Sequence, residues 1–362
     1  MPAVFDRIRA EIAATGPLPF DRFMEMALYD PDGGYFSAST ALRSSPAGDF
    51  LTSPEVSPLF GATLARFVEA EAERVGGRPS VIDAGAGSGS LLRALLDALD
   101  EPPSEVFAVE VSPSAADRLA EVVPEASAVR ALDDLPRLSP GVVIANELLD
   151  NLPAAVAVRR GGGWSEQMVD VREEVLVPVE RPARLVVSEW ADRHAGSLPE
   201  GSLVEVQIAA CAWVRSALDR IESGSLVVID YGDTAEGLEP RRTTGTLRTY
   251  RAHHLGPDPL LAPGETDITM DVNFSAIARV ARDAGAEVTI ERQDEFLERW
   301  GLRATLSGLR QHELELARSG EVMERLAARS RVTEAETLLH PRGLGDFRVM
   351  VARRQRGAVH SP

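Results

Sequence analysis

The stretch Val81-Ile82-Asp83-Ala84-Gly85-Ala86-Gly87-Ser88-Gly89-Ser90-Leu91 decides the fold. The run 80–83 has the composition of a strand buried on both faces, and three alternate glycines carry it directly into leucines at helical spacing. Glycine is needed at such a turn because a ligand must approach bare backbone there. The dinucleotide fingerprint G-x-G-x-x-G would require glycine at position 90, which is Ser90, so a pyridine-nucleotide site is disfavoured. Downstream, strands are expected at 106–109, 127–130, 142–145 and 226–229, with helices at 91–99, 114–122 and 206–221. Strand alternating with helix predicts an α/β fold built on a mostly parallel, doubly wound sheet.

Further from this centre the pattern changes. Apolar residues at helical spacing predict helices over 4–14, 20–28 and 59–74, with a polar loop at 37–58 that is either mobile or a lid. Strand-like runs between 154 and 187, joined by Gly161-Gly162-Gly163 and Arg172-Glu173-Glu174, predict an inserted antiparallel sheet. The connection 233–270 is too long for mere linkage and is expected to cover the site. A helix at 274–284, a strand at 287–290, a helical region at 294–336 and a last strand at 347–352 complete the chain. The expected division is 1–75 for N-terminal helices and a covering loop, 76–153 with 205–232 for the core, 154–204 for the insert, 233–271 for a second covering loop, and 272–362 for the rest of the core with a helical insertion.

Composition narrows the chemistry. The 362 residues fit two domains or one α/β domain carrying insertions, and no apolar run reaches the roughly 18 residues of a spanning helix. A formal charge of −18 argues against generic nucleic-acid binding. All 38 basic residues are arginine, which removes the P-loop, the usual protein kinase site and a pyridoxal-phosphate Schiff base, each of which needs a lysine. The single cysteine, Cys211, forbids an intrachain disulfide or a cysteine-rich metal site and reads as a buried structural thiol. The six histidines show no HExxH spacing, and no metal site is expected. The N-terminal segment carries early acids and no long apolar region, so a cytoplasmic location is expected.

Alternate glycines at Gly85, Gly87 and Gly89 suit the first motif of S-adenosylmethionine-dependent methyltransferases, in which a methionine moiety lies against the turn. Glu110 ends the next strand, 21 residues beyond Gly89, where an acid accepts hydrogen bonds from both ribose hydroxyls. Leu132 and Asp133, at the third strand's end, read equally as an adenine contact or a turn cap. At the fourth strand's end, Asn146, Glu147 and Asp150 emerge where ligand crevices form. These three could position a nucleophilic nitrogen and accept its proton, and the alternative is capping of the following turn.

With these residues assembled, the chain resembles the MidA-like methyltransferases, a family that includes a mitochondrial complex I assembly factor methylating an arginine. The resemblance rests on the strings 16–29, Gly34-Tyr35-Phe36, 48–61, 144–153, Ile229-Asp230-Tyr231-Gly232, 245–253, 263–269 and Asp271-Val272-Asn273-Phe274. It implies a class I, Rossmann-like methyltransferase core using S-adenosyl-L-methionine, with Thr52, Pro54, Glu55 and Ser57 closing over the cofactor and Asp83 in its first motif. Two departures stand out: Asp83-Ala84 with Ala86 where relatives carry glutamate and a richer glycine or proline motif, and Leu148-Leu149 where aromatics are usual. If the acceptor is a guanidinium, bidentate carboxylate geometry favours Glu147 or Asp150, with Asp230, Tyr231 and His253 on the substrate side, although His253 beside Arg251 reads equally as a surface residue. The expected partner is then a protein substrate bearing an acceptor arginine, such as a respiratory complex I subunit. A small-molecule acceptor and a non-enzymatic assembly chaperone are the rival readings, and the oligomeric state stays open.

Overall fold

Alternation along the central strands sorts the core into two layers. In the computed structural model, which describes residues 3–37, 53–251, 254–319 and 322–355, the main sheet comprises β1 (Ser80–Ala84), β2 (Val106–Val109), β3 (Ser127–Val129), β4 (Gly141–Asn146), β5 (Gly224–Asp230), β6 (Glu287–Arg292) and β7 (Arg348–Arg354). Val81, Ile144, Val227, Ile229, Val349 and Val351 point to one face, where they pack on the helices Pro58–Val75, Ser90–Ala98, Gln293–Arg299 and Val322–Leu338. Ile82, Val143, Ala145, Leu226, Val228 and Met350 point to the other, against Ile208–Arg220 and Phe274–Asp283. Side chains alternate across a strand, so a strand covered on both faces must be apolar throughout. Each such Val, Ile or Leu contributes roughly 1.5–3 kcal/mol of burial.

The strand order is β6-β7-β5-β4-β1-β2-β3. β5, β4, β1, β2 and β3 run parallel, while β7 lies antiparallel between β5 and β6, so the sheet is mostly parallel, as expected. Winding reverses between β1 and β4, and the crevice outside the carboxyl ends of such a pair is where ligands bind in open α/β sheets. Register places Ala84 beside both Ala145 and Val109, so the glycine turn, Glu110 and Asn146 leave the same edge together.

The insert is an antiparallel sheet of Gly163–Arg172, Ala155–Arg160, Leu203–Val206 and Val175–Pro182, joined by Leu18–Pro19 from the N-terminal region. Three sequence expectations change here. Val206, expected to begin a helix, instead ends the strand Leu203–Val206 beside Ala155–Arg160, and the helix starts at Ile208. Leu185–His194 is a helix burying Val187, Trp190, Ala191 and His194. The N-terminal helices Ala3–Thr15 and Phe20–Tyr29 pack on the insert through Val4, Phe23 and Leu28 against Val156 and Val169, whereas Pro58–Val75 packs on the main sheet. The connection after β5 has structure of its own, with strands Arg248–Arg251, His254–Leu255 and Asp267–Thr269 forming a small sheet. Among the described residues, no helix is long and apolar enough to cross a membrane.

Candidate active site

A cavity of about 450 Å³ opens at the carboxyl ends of β1, β2 and β4. Its floor is the turn after β1. Gly85 and Gly87 adopt φ of 75° and 51°, values that a side chain makes costly, and a Cβ on Gly85 would stand 3.1 Å from Leu148 Cδ1. Gly89, at φ 79°, serves packing instead: a Cβ there would lie 2.8 Å from Leu119 Cδ1 of the helix Pro113–Val122.

Beside this turn, Glu110 is fixed by two backbone donors, Gly87 N–H at 2.8 Å and Ser112 N–H at 2.7 Å. Burial nevertheless raises its pKa, since the low dielectric penalises the charged form. Asp83 is buried at the strand end and lines the cavity, with Oδ2 lacking a hydrogen-bond partner among the described residues. Desolvation, with the neighbouring charge of Glu110, lifts Asp83 to about 7.

The opposite wall is the exit of β4. Asn146 donates from Nδ2 to Glu147 Oε1 at 3.2 Å, and Ser53 N–H donates to the same oxygen at 3.3 Å. Asn146 Oδ1 is buried without a partner among the described residues. Glu147 sits at φ 50°, an unusual conformation for a residue with a side chain, and desolvation together with Asp150 lifts its pKa to about 8. Asp150 Oδ2 accepts from the Tyr231 hydroxyl and from Thr269 Oγ1, the latter at 2.6 Å, while its Oδ1 is buried without a partner among the described residues. Burial raises the Asp150 pKa and also raises that of Tyr231.

Asp230 lies wholly inside the protein and works on backbone. Its Oδ2 accepts from Leu149 N–H at 3.0 Å and Asp150 N–H at 3.3 Å, and its Oδ1 accepts from Tyr231 N–H at 3.0 Å. It therefore holds the turn Leu149–Asn151 that presents Asp150. Burial and the charges of Asp150 and Glu147 push its pKa well up.

Other residues close the space. Pro54 and Glu55 line it from the short helix Ser53–Val56, whereas Ser57 caps the next helix through Leu59 N–H at 3.2 Å and donates to Glu334 at 2.9 Å. Leu132 and Asp133 line the far end, where Asp133 also accepts from Arg220 at 2.8 Å and Asp134 supplies the cap to Ala131 N–H at 3.0 Å. Thr52 and His253 lie outside the described residues. Structure adds lining residues that the sequence reading passed over: Tyr29, whose hydroxyl donates to Asn151 O at 3.2 Å, Phe36 stacked on it at 5.4 Å, and Trp213 on the helix Ile208–Arg220. Tyr29 and Phe36 fall within the strings carrying the family resemblance, but no spacing rule points to their role. Cys211 is half-buried, and desolvation raises its thiol pKa, as suits a structural residue. Among the described residues, no group of three His, Cys, Asp or Glu is placed to hold a metal.

Comparison with known proteins places this cavity in context. The family described as “Putative S-adenosyl-L-methionine-dependent methyltransferase” matches residues 61–291. A Burkholderia thailandensis protein described as a “likely methyl transferase”, solved bound to S-adenosyl-homocysteine, is 32% identical, with 97% of this chain and 92% of that chain covered at a TM-score of 0.84. The mitochondrial protein arginine methyltransferase NDUFAF7 homologue of Drosophila melanogaster is 28% identical over 88% of this chain and 80% of its own length. The Homo sapiens mitochondrial protein arginine methyltransferase NDUFAF7 is 28% identical over 83% and 73%. The cofactor is S-adenosyl-L-methionine, and the cavity suits it. An acceptor oxygen on Asp83 awaits a donor, the turn at Gly85 and Gly87 leaves backbone bare, and an acid ends β2.

Proposed function

The chain belongs to this S-adenosyl-L-methionine-dependent methyltransferase family, and we propose that it transfers the methyl group to an arginine of a protein substrate. The observation carrying this reading is a set of acceptor oxygens with nothing to accept. Among the described residues Asn146 Oδ1 and Asp150 Oδ1 are buried without a partner, both residues line the cavity, and Glu147 stands between them in sequence. A guanidinium brings five N–H donors in a flat fork and a positive charge, which is what such a set lacks. Neither carboxylate has two free oxygens, since Asp150 Oδ2 and Glu147 Oε1 are already bonded. The grip is thus divided among Asn146, Glu147 and Asp150 rather than bidentate to one of them.

In this reading Asp83, Gly85, Gly87, Glu110, Leu132 and Asp133 hold the cofactor, Pro54 and Glu55 cover it, and Tyr231 and Thr269 aim Asp150. The bound cofactor supplies a methyl group on a sulfonium. The protein's work is to align the acceptor nitrogen, exclude water and take the proton that the nitrogen gives up, which falls to Glu147. Support also comes from the relatives' names, which describe those proteins as protein arginine methyltransferases.

The test is incubation with methyl-labelled cofactor and candidate proteins, beginning with respiratory complex I subunits, followed by mapping of the label. The expected result is label on an arginine, reduced about 10²- to 10⁴-fold by Glu147→Gln with cofactor binding kept. Label confined to low-mass products would favour a small-molecule acceptor. Cofactor binding without any transfer would favour an assembly chaperone.

A further inference from the structure

We infer that Gln293, outside the cavity, is a positioning residue for Glu147 and acts through Ser53. Its consequence for catalysis rests on the methyl-transfer reading above; its test does not.

Gln293 begins the helix Gln293–Arg299 and is wholly buried. Its N–H donates to Phe347 O at 2.8 Å, which fixes its backbone at the entry to β7, and its Nε2 donates to Ser53 Oγ at 3.2 Å. Its Oε1 is buried without a partner among the described residues. A buried amide satisfied at one end only is a poor packing element, and an apolar side chain of that shape would fit without the penalty. What the amide adds is a directed bond to Ser53.

Ser53 is wholly buried and opens the one-turn helix Ser53–Val56, whose Pro54 and Glu55 line the cavity. The first N–H groups of a helix have no partner within it. That of Ser53 is turned to Glu147 Oε1 at 3.3 Å. The chain of contacts thus runs from the C-terminal part of the core, through a covering element, to the carboxylate assigned to the proton.

The same corner also reaches the second carboxylate. The Phe347 ring meets the Tyr231 ring edge-on at 5.6 Å, and the Tyr231 hydroxyl donates to Asp150. Glu147 is surrounded by acids, with Asp150, Asp230 and Glu55 acting on it or it on them. The Ser53 N–H and the Asn146 amide favour its ionised form against burial and like charge. Releasing the Ser53 side chain lets the first of these donors drift from Glu147.

Infrared titration of the full chain without added ligand tests this. The protonated Glu147 carboxyl is the band absent from Glu147→Gln, and its midpoint is followed in the wild type, Gln293→Leu and Ser53→Ala. Both variants are expected to move the midpoint up by about one pH unit. If Gln293→Leu fails to fold, Ser53→Ala breaks the same bond by losing one oxygen and keeping its N–H. Unmoved midpoints in folded variants overturn the inference, as does a shift in Gln293→Leu alone, which would assign the effect to packing. Absence of a titrating Glu147 band overturns it too. Shifts in a protein that methylates no arginine would leave the positioning role standing and sink the acceptor reading; arginine methylation with unmoved midpoints would do the reverse.

Discussion

Glu147 combines a backbone at φ 50° with a side chain whose acid form is favoured up to about 8. Both follow from its place at the end of β4, where its N–H is held by Ile229 O at 2.8 Å and its carboxyl is turned among other acids. The left-handed conformation costs roughly 1–2 kcal/mol, and the burial makes stability depend on pH. A carboxyl whose pKa is higher folded than unfolded adds stability that is complete below the unfolded value of 4.5 and is lost as pH rises through about 8. Replacing Glu147 by Gln removes this titration. Without cofactor, the melting temperature of Glu147→Gln should therefore gain on the wild type steadily between about pH 5 and about pH 9. Asp83, lifted to about 7, titrates in both proteins and cancels from the difference. A difference that stays constant with pH would mean that Glu147 is ionised in the fold throughout.

Turns, more than strands, set this site, and the turn Leu149–Asn151 shows how. One carboxylate from β5, that of Asp230, accepts three backbone N–H groups, from Leu149, Asp150 and Tyr231. Asp230→Ala should leave these donors buried and unpaired, lowering stability by roughly 2–4 kcal/mol in denaturant unfolding, with Asp230→Asn between it and the wild type. A loss below about 0.5 kcal/mol would show that water or a shifted backbone satisfies them. The sequence had placed Asp230 on the substrate side, because an acid at a strand end reads the same whether it faces ligand or backbone. Strands β1, β2, β4 and β5 were legible because unbroken apolar runs have few other uses in a chain of this composition. Leu203–Val206 was not, since Glu205 interrupts its pattern and is tolerated only because Thr246 N–H and Leu247 N–H, at 2.5 and 3.1 Å, reach it from some forty residues away. Thr269 and Gln293 were hidden for the same reason: each acquires its role through a bond to a partner, Asp150 or Ser53, more than a hundred residues distant. Asn146, Glu147 and Asp150 could be read together because one strand end delivers all three, and all three line the cavity.

The molecule carries a net charge of −18, and its cavity is lined by Glu55, Glu110, Asp133 and Asp150, with Asp83 and Glu147 joining them in charge only above about 7 and about 8, against Arg130 as the one cation among the described lining residues. A field of that sign favours a cationic occupant, and S-adenosyl-L-methionine differs from its product mainly in the positive charge on sulfur. The buried acids act at short range and are screened little, whereas the surface acts over distances comparable with the Debye length, about 10 Å at 0.1 M salt. The distant part should therefore be separable by ionic strength. Between roughly 0.05 and 0.5 M sodium chloride, calorimetry should show the Kd of S-adenosyl-L-methionine rising about three- to tenfold and that of S-adenosyl-homocysteine by less than about twofold. Equal salt responses would mean that the surface charge does not reach the sulfonium, leaving discrimination to the carboxylates of the cavity wall. A larger response for the product would reverse the sign of the argument and require a cationic group at the site, for which Arg130 is the candidate to replace first.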